Sequence, residues 1–239
     1  MKSTVNSLSR HAYDLILNQI LHFDLLPGEA VSDYILAEKL QMSRTPIRDA
    51  LHKLGTVGLI TSVGKKQYVA SMTVDDLREI FLLREALETF ACSYIIENSL
   101  ADSTLIQKLQ SLSDLYTKNC AAGQYFEAFQ SDNQLHSFLI NSANISRFSE
   151  IFHECSLQLM RFRWLTVVAT DRIAHTTQEH QKIISALAAN DITGCVAAVR
   201  GHIADTRKSY CDILSRFSSD EWIRLIRVLS PQIPEDTAG

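Results

Sequence analysis

The stretch Leu36–Leu59, LAEKLQMSRTPIRDALHKLGTVGL, constrains the fold more than any other part of the chain. It carries two apolar stripes at helical spacing with a corner between them: Leu36, Ala37 and Leu40 before it, Ile47, Leu51 and Leu54 after it. Met42 closes the corner, and Ser43 is suited to cap the second helix. Pro46 falls in the first turn of that helix, where a missing N–H costs little. Arg44, Thr45 and Arg48 lie off the second stripe and crowd its N-terminal end. Two helices packed across a tight corner in this way predict a helix-turn-helix. The second helix of such a motif brings its first residues to base edges and phosphates in a major groove. An arginine there can pair with guanine O6 and N7 together. The plainer reading, solvated charges on a short helix, fits the bare motif equally well.

The flanking sequence separates the two readings. Upstream, Leu8, Ala12, Leu15, Ile16 and Ile20 form a helical pattern that ends at the turn signal Leu26-Pro27-Gly28-Glu29. Downstream, residues 58–63 read as a strand, Gly64-Lys65-Lys66 as a turn, and residues 67–70 as a returning strand. Three helices followed by a basic-tipped hairpin predict a winged helix. With L-P-G-E at 26–29, L-A-E-K-L at 36–40, S-R-T-P-I-R-D-A-L-H-K-L at 43–54 and G-L-I at 58–60, residues 5–72 resemble the DNA-binding domain of the GntR family of bacterial transcription regulators. The resemblance implies major-groove reading by Arg44 and Arg48, phosphate contacts from Ser43 and Thr45, and wing insertion near Lys65 and Lys66. Two positions depart from the family pattern. Gln41 stands at the corner where relatives usually carry Gly, a change of small expected cost. Lys66 stands at the wing tip where many carry a Gly that enters the minor groove, and a lysine there grips phosphate instead.

A chain of 239 residues has room for two domains of ordinary size. No apolar run approaches the ~18–20 residues of a membrane span, and no signal peptide precedes the first helix, so a membrane partner is not expected. The five cysteines, Cys92, Cys120, Cys155, Cys195 and Cys211, are scattered, odd in number and without C-x-x-C spacing. They read as reduced buried thiols in a cytoplasmic protein. The net charge of −4 divides unevenly, with +2 on residues 1–70 and −6 on the rest. A slightly basic headpiece on an acidic body is compatible with local phosphate binding.

From Thr73 onward the pattern is helical. Thr73-Val74-Asp75-Asp76 resembles a capping box that opens a helix to about Asn98. Further helical patterns run over 102–119, 123–142, 145–169, 175–189, 191–217 and 219–229, with Asp102, Asn144 and Asp191 as starts. Pro231 and Pro234 end the regular structure. The expected fold is mostly α: an N-terminal winged helix-turn-helix over 1–72, an all-α antiparallel helical bundle over 73–230, and a short tail over 231–239.

Asp132 and His136 leave one helix face a turn apart, while His180 and His202 belong to two later helices. An aspartate and three histidines from three helices can converge inside a bundle around a divalent cation. Satisfied core or solvated histidines are the plainer reading of the same residues. The motifs R-E-A-L-E at 84–88, D-N-Q-L-H at 132–136, E-H-Q-K-I-I-S-A-L at 179–187 and N-D-I-T-G-C-V-A-A-V-R-G-H-I at 190–203 make residues 73–217 resemble the FadR-like subfamily's helical effector-binding domain, often called FCD. The resemblance implies a metal site formed by Asp132, His136, His180 and His202. Zinc is the first expectation, with nickel or manganese also compatible. Leu135 replaces a frequent aromatic, and His153 and His175 read as solvated.

Arg84 is either half of an intrahelical pair with Glu88 or, on the family reading, a clamp for an effector carboxylate. Of Arg161 and Arg163, one is expected to line the cavity and the other to face solvent; Arg161 is carried as the candidate effector contact. The resemblance also implies a homodimer on a near-palindromic double-stranded operator, with DNA affinity set by a small carboxylate effector, in repression more often than activation. Two other functions share these residues. One is a metal-dependent hydrolase or lyase fused to a DNA-binding module, with Glu179 as the candidate base, and the other is a direct metal sensor.

Overall fold

The structure is a computed structural model and describes residues 2–165, 169, 172–218 and 221–225. The described residues group into two compact units, 2–72 and 73–218, with the short helical segment 221–225 grouped with the first. The sequence pattern assigns that segment to the bundle instead. The expected tail over 231–239 lies outside the described residues.

In the first unit, helix α1 (Lys2–Leu21) is followed by strand β1 (Ala30–Val31), helices α2 (Asp33–Lys39) and α3 (Arg44–Thr56), and strands β2 (Ile60–Val63) and β3 (Lys66–Val69). The strands form an antiparallel sheet in the order β1-β3-β2. β1 is too short to register as a strand in the sequence. Gly28, at φ 80°, places its N–H on the Val69 carbonyl at 2.9 Å, and the Val69 N–H returns to Glu29. The hairpin turns at Gly64, at φ 61°, between Val63 and Lys66.

Ile47, Leu51 and Leu54 on α3 are at most 1% exposed, and each contributes about 1.5–3 kcal/mol by leaving water. The α1 stripe differs from its expected register. Leu8 is half exposed, and Ser9 takes its place in the interior, where its hydroxyl donates to Asp49 at 3.1 Å.

The corner between α2 and α3 closes as a left-handed helix cap. The Met42 N–H bonds the Ala37 carbonyl at 2.9 Å and the Gln41 N–H bonds the Glu38 carbonyl at 3.3 Å. Gln41 pays for this closure with φ 53°, a conformation glycine adopts without penalty. The small cost expected for this departure becomes a definite one. Gln41→Gly is expected to stabilise the headpiece by about 0.5–1 kcal/mol, after allowing for glycine's extra freedom when unfolded. Hydrogen-exchange protection of the α3 amides would report the gain, and unchanged protection would show that Gln41 carries no strain.

The second unit contains α4 (Val74–Glu97), α5 (Ser103–Ala121), α6 (Tyr125–Ser142), α7 (Ser146–Met160), α8 (Ile173–Ala188) and α9 (Ile192–Leu214). α9 packs along α4 and α8, α5 along α6 and α8, and α4 also meets α6 and α7. Thr73 and Asp76 form a reciprocal capping box, and Asp102 and Asp191 cap α5 and α9 through their side chains. Asn144 is not a cap. It sits at φ 55° before the N-cap residue Ile145.

The single helix expected over 145–169 is broken. α7 ends at Met160 and residues 161–164 form turns, while 166–168 lie outside the described residues. At the break Arg161, Phe162, Arg163 and Trp164 are all buried, at 0–2% exposure, a run that a helix with one buried stripe does not present. The expectation that one of the two arginines faces solvent is therefore wrong. Arg163 is buried with its guanidinium 5.9 Å from the Phe126 ring centroid.

Candidate functional site

The headpiece presents a groove of about 1170 Å³ whose lining includes Arg44, Thr45, Arg48, His52, Lys65 and Lys66. Ser43 stands at the N-cap of α3 with its hydroxyl unused for capping, and it and Thr45 are exposed. Arg44 is held: its Nη2 donates to both carboxylate oxygens of Asp33 at 2.9 and 2.8 Å. Arg48 Nε lies 3.9 Å from the same carboxylate. Asp33 is the first residue of α2, so the corner that packs α2 on α3 also sets this acid against the arginines. Sequence reading missed Asp33 and His52. The second was recoverable, one helical turn after Arg48.

Asp132, His136, His180 and His202 come together in the bundle, and their donor atoms lie within 4.8 Å of one another. α6 supplies the first two, α8 the third and α9 the fourth. The three histidines are at most 3% exposed. His180 Nε2 is 3.1 Å from Asp132 Oδ1, yet neither ring nitrogen of His180 makes an aligned hydrogen bond. His136 Nε2 and His202 Nε2 are 3.0 Å apart, on rings stacked at 4.9 Å.

The far nitrogens are fixed by carboxylates. Glu88 Oε2 contacts His136 Nδ1 at 2.5 Å, and Glu179 Oε2 contacts His202 Nδ1 at 2.9 Å. Each carboxylate has its own arginine. Arg84 Nε donates to Glu88 at 3.0 Å, and Arg172 donates to Glu179 from Nη1 at 3.0 Å and from Nη2 at 2.7 Å. A carboxylate on the outer nitrogen of an imidazole fixes ring and tautomer and leaves the inner nitrogen to ligate. Three imidazole nitrogens and one carboxylate oxygen, with His180 making no aligned hydrogen bond, fit a divalent cation.

The electrostatics agree with this arrangement. Burial pushes the Glu88 carboxyl up, but His136 and Arg84 outweigh it and hold the group at about 2. Burial pushes His136 down, and Glu88 and Asp132 together more than reverse it, raising the imidazole to about 9. Burial drives His202 down to about 4 despite Glu179. His136 is thus charged at neutral pH and donates to a neutral His202. A cation taken up here must displace that proton. Uptake below pH 9 is expected to release one proton from His136, with affinity rising about tenfold per pH unit towards pH 9. Chelator competition across pH 6.5–9 measures it, and a flat profile would show His136 neutral in the free protein.

The sequence-predicted arginines divide. Arg84 realises the ion-pair reading, at 3% exposure between the Phe81 and Phe152 rings. Arg161 is 1% exposed and its Nε reaches the Gln158 carbonyl at 3.4 Å; burial lowers its guanidinium to about 10. Neither lines the small cavity described beside the cluster, which is bounded by Tyr116, Phe129, Asp132, Arg172, Thr206 and Tyr210 among others. Arg172 was missed by sequence reading, since it precedes α8 outside any motif. His153 and His175 are exposed, as expected.

A winged helix-turn-helix accompanied by a helical bundle is the architecture of a DNA-binding regulator. Residues 8–67 match the bacterial regulatory proteins of the gntR family, and residues 79–205 match the FCD domain. The chain belongs to the GntR family of transcriptional regulators, with an FCD domain. The Nta operon transcriptional regulator of Aminobacter aminovorans is 27% identical over 180 residues, covering 74% of this chain and 82% of that protein. The HTH-type transcriptional repressor GlaR of Escherichia coli (strain K12) is 24% identical over 208 residues, covering 84% of this chain and 93% of that protein. The solved structure of E. coli McbR/YncC has the same fold, with a TM-score of 0.69 at 20% identity over 85% of this chain and 96% of that one. The family and these relatives are transcriptional regulators, not enzymes. Among the described residues, no helix is long and apolar enough to cross a membrane.

Proposed function

We propose that the chain is a ligand-responsive repressor that binds a near-palindromic operator as a homodimer. In this reading a small organic acid at a divalent-metal site in the bundle sets operator affinity. The observation that carries it is the convergence of Asp132, His136, His180 and His202, with two of the three imidazoles already oriented by carboxylates. These four residues would hold the ion, and zinc suits the imidazole-rich set best, with nickel or manganese compatible. A bound cation supplies Lewis-acid ligation to an incoming carboxylate. On the headpiece, Arg44 and Arg48 read bases while Ser43, Thr45, Lys65 and Lys66 hold phosphates.

The homodimer is supported by an apolar stripe that the described residues leave open. Leu83 and Phe90 on α4 are each 50% exposed, Ile151 on α7 is 40% exposed, and Phe90 packs on Phe148 at 5.2 Å. Phe90→Glu is expected to convert the dimer to a monomer in sedimentation velocity and to weaken operator binding; an unchanged sedimentation coefficient would place the interface elsewhere. Regulation runs through α4, which starts at Val74 only a few residues after β3 ends at Val69. A ligand that prefers one arrangement of the bundle thereby biases the headpieces.

Sequencing of genomic fragments retained by the purified protein tests this reading, with and without zinc and a panel of carboxylates. A short palindrome beside one operon supports it. Retention that responds to zinc alone favours a direct metal sensor, and no enrichment under any condition overturns it. The hydrolase reading has lost its base. Burial raises Glu179, but His202 and Arg172 hold it at about 2, too acidic to take a proton at neutral pH.

A further inference from the structure

Arg172 has a donor that its described partners do not use. The end-on edge of its guanidinium is occupied by Glu179, and Nη2 also reaches the Thr206 hydroxyl at 3.1 Å. The remaining Nε is buried without a hydrogen-bond partner. A buried, unpaired donor on a charged group is costly unless something else satisfies it. Arg172 and Asp132 line the same cavity, together with Thr176, Thr206 and Tyr210. Glu179 Oε2 is shared between Arg172 Nη2 at 2.7 Å and His202 Nδ1 at 2.9 Å, so the guanidinium stands one carboxylate away from the cluster.

We infer that the side-on edge of Arg172, Nε with Nη2, is the carboxylate seat of this cavity, and that its ligand is a compact organic acid. Nη2 exchanges the Thr206 hydroxyl for a carboxylate oxygen and Nε gains the other, giving a two-pronged contact that leaves Glu179 in place. The cavity has only about 30 Å³ open to the centre of a water molecule, so a long acyl chain is excluded without large rearrangement. A second oxygen function only a few bonds from the first carboxylate can then meet the Asp132/His cluster. The ligand class is a short dicarboxylate or a 2-hydroxy acid, seated between the start of α8 and α9. This inference rests on the metal-site reading above and adds to it the residue that selects the ligand.

The test is calorimetry on the full-length protein, first with Zn²⁺ alone and then with malonate or lactate added to the zinc-loaded form. Wild type is expected to take up zinc and then either acid. Compared at saturating zinc, Arg172→Gln and Arg172→Lys should lose roughly ten- to a hundredfold in malonate affinity, because lysine keeps the charge but not the fork. Should Arg172→Gln fail to fold, Arg172→Lys carries the comparison. Unchanged malonate affinity in zinc-loaded variants overturns the inference and leaves the metal site standing, as does wild-type protein that takes zinc but neither acid at millimolar concentration. Wild type that takes no zinc overturns the metal-site reading instead. The Arg172 seat is then decided by malonate binding to the metal-free protein, supported by a loss in Arg172→Lys and overturned by none.

Discussion

His180→Ala is expected to lower zinc affinity by about a hundred- to a thousandfold while leaving the bundle folded. A four-ligand zinc site is worth about 10–16 kcal/mol, so one ligand accounts for roughly 3–4 kcal/mol. The fold tolerates the change because neither ring nitrogen of His180 makes an aligned hydrogen bond. Removing the ring deletes two buried polar atoms and leaves a cavity, effects that partly offset one another. Glu88→Gln, which acts only through the far nitrogen of His136, should cost a smaller ten- to hundredfold. Chelator competition gives both affinities, with circular dichroism as the check on folding. A His180→Ala protein that holds zinc as tightly as wild type would remove this residue from the ligand set.

Arg44→Ala should weaken binding to the specific operator by about 1–3 kcal/mol and relax base preference at one position of each half-site. Binding to scrambled duplex should change far less. The bidentate hold of Asp33 sharpens the prediction. In the free headpiece Arg44 is neutralised by an acid, so it offers little to a random phosphate. Asp33→Ala should therefore tighten binding to scrambled DNA and steepen its salt dependence by about one unit. Fluorescence anisotropy with matched and scrambled duplexes across a salt series separates these outcomes. Equal losses on both duplexes for Arg44→Ala would make this arginine a phosphate contact.

Periodicity, caps and turn chemistry made the headpiece and the start of the bundle legible. The stripe Ile47, Leu51 and Leu54, the hairpin turn at Gly64 and the Thr73–Asp76 capping box all follow from local spacing. Local spacing also misled at two places. Ser9 rather than Leu8 enters the interior because its hydroxyl finds Asp49, a partner forty positions away. The apolar run after Met160 extends the helical pattern, yet the chain turns there and buries two arginines that no periodicity distinguishes from surface ones. In the bundle the four donors were named from their motifs, but their supports were not. Glu88 reads as Arg84's partner within one helix, and only the fold brings its second oxygen to His136, 48 positions on. Arg172 joins Glu179 across the start of α8 and Thr206 on α9, which no motif links.

The cavity beside the cluster is nearly closed, with about 30 Å³ to spare. In the proposed reading, an acid larger than this space binds a form in which the helices have parted, and its measured affinity is its intrinsic affinity scaled by the fraction of molecules already open. Sensitivity and dynamic range are opposed in that reading. Trimming a wall residue such as Phe129 would populate the open form in advance, lower the threshold concentration and shrink the change that ligand can still produce. In the proposed reading, a tight cavity sets the protein to ignore traces of the acid and to answer abundance.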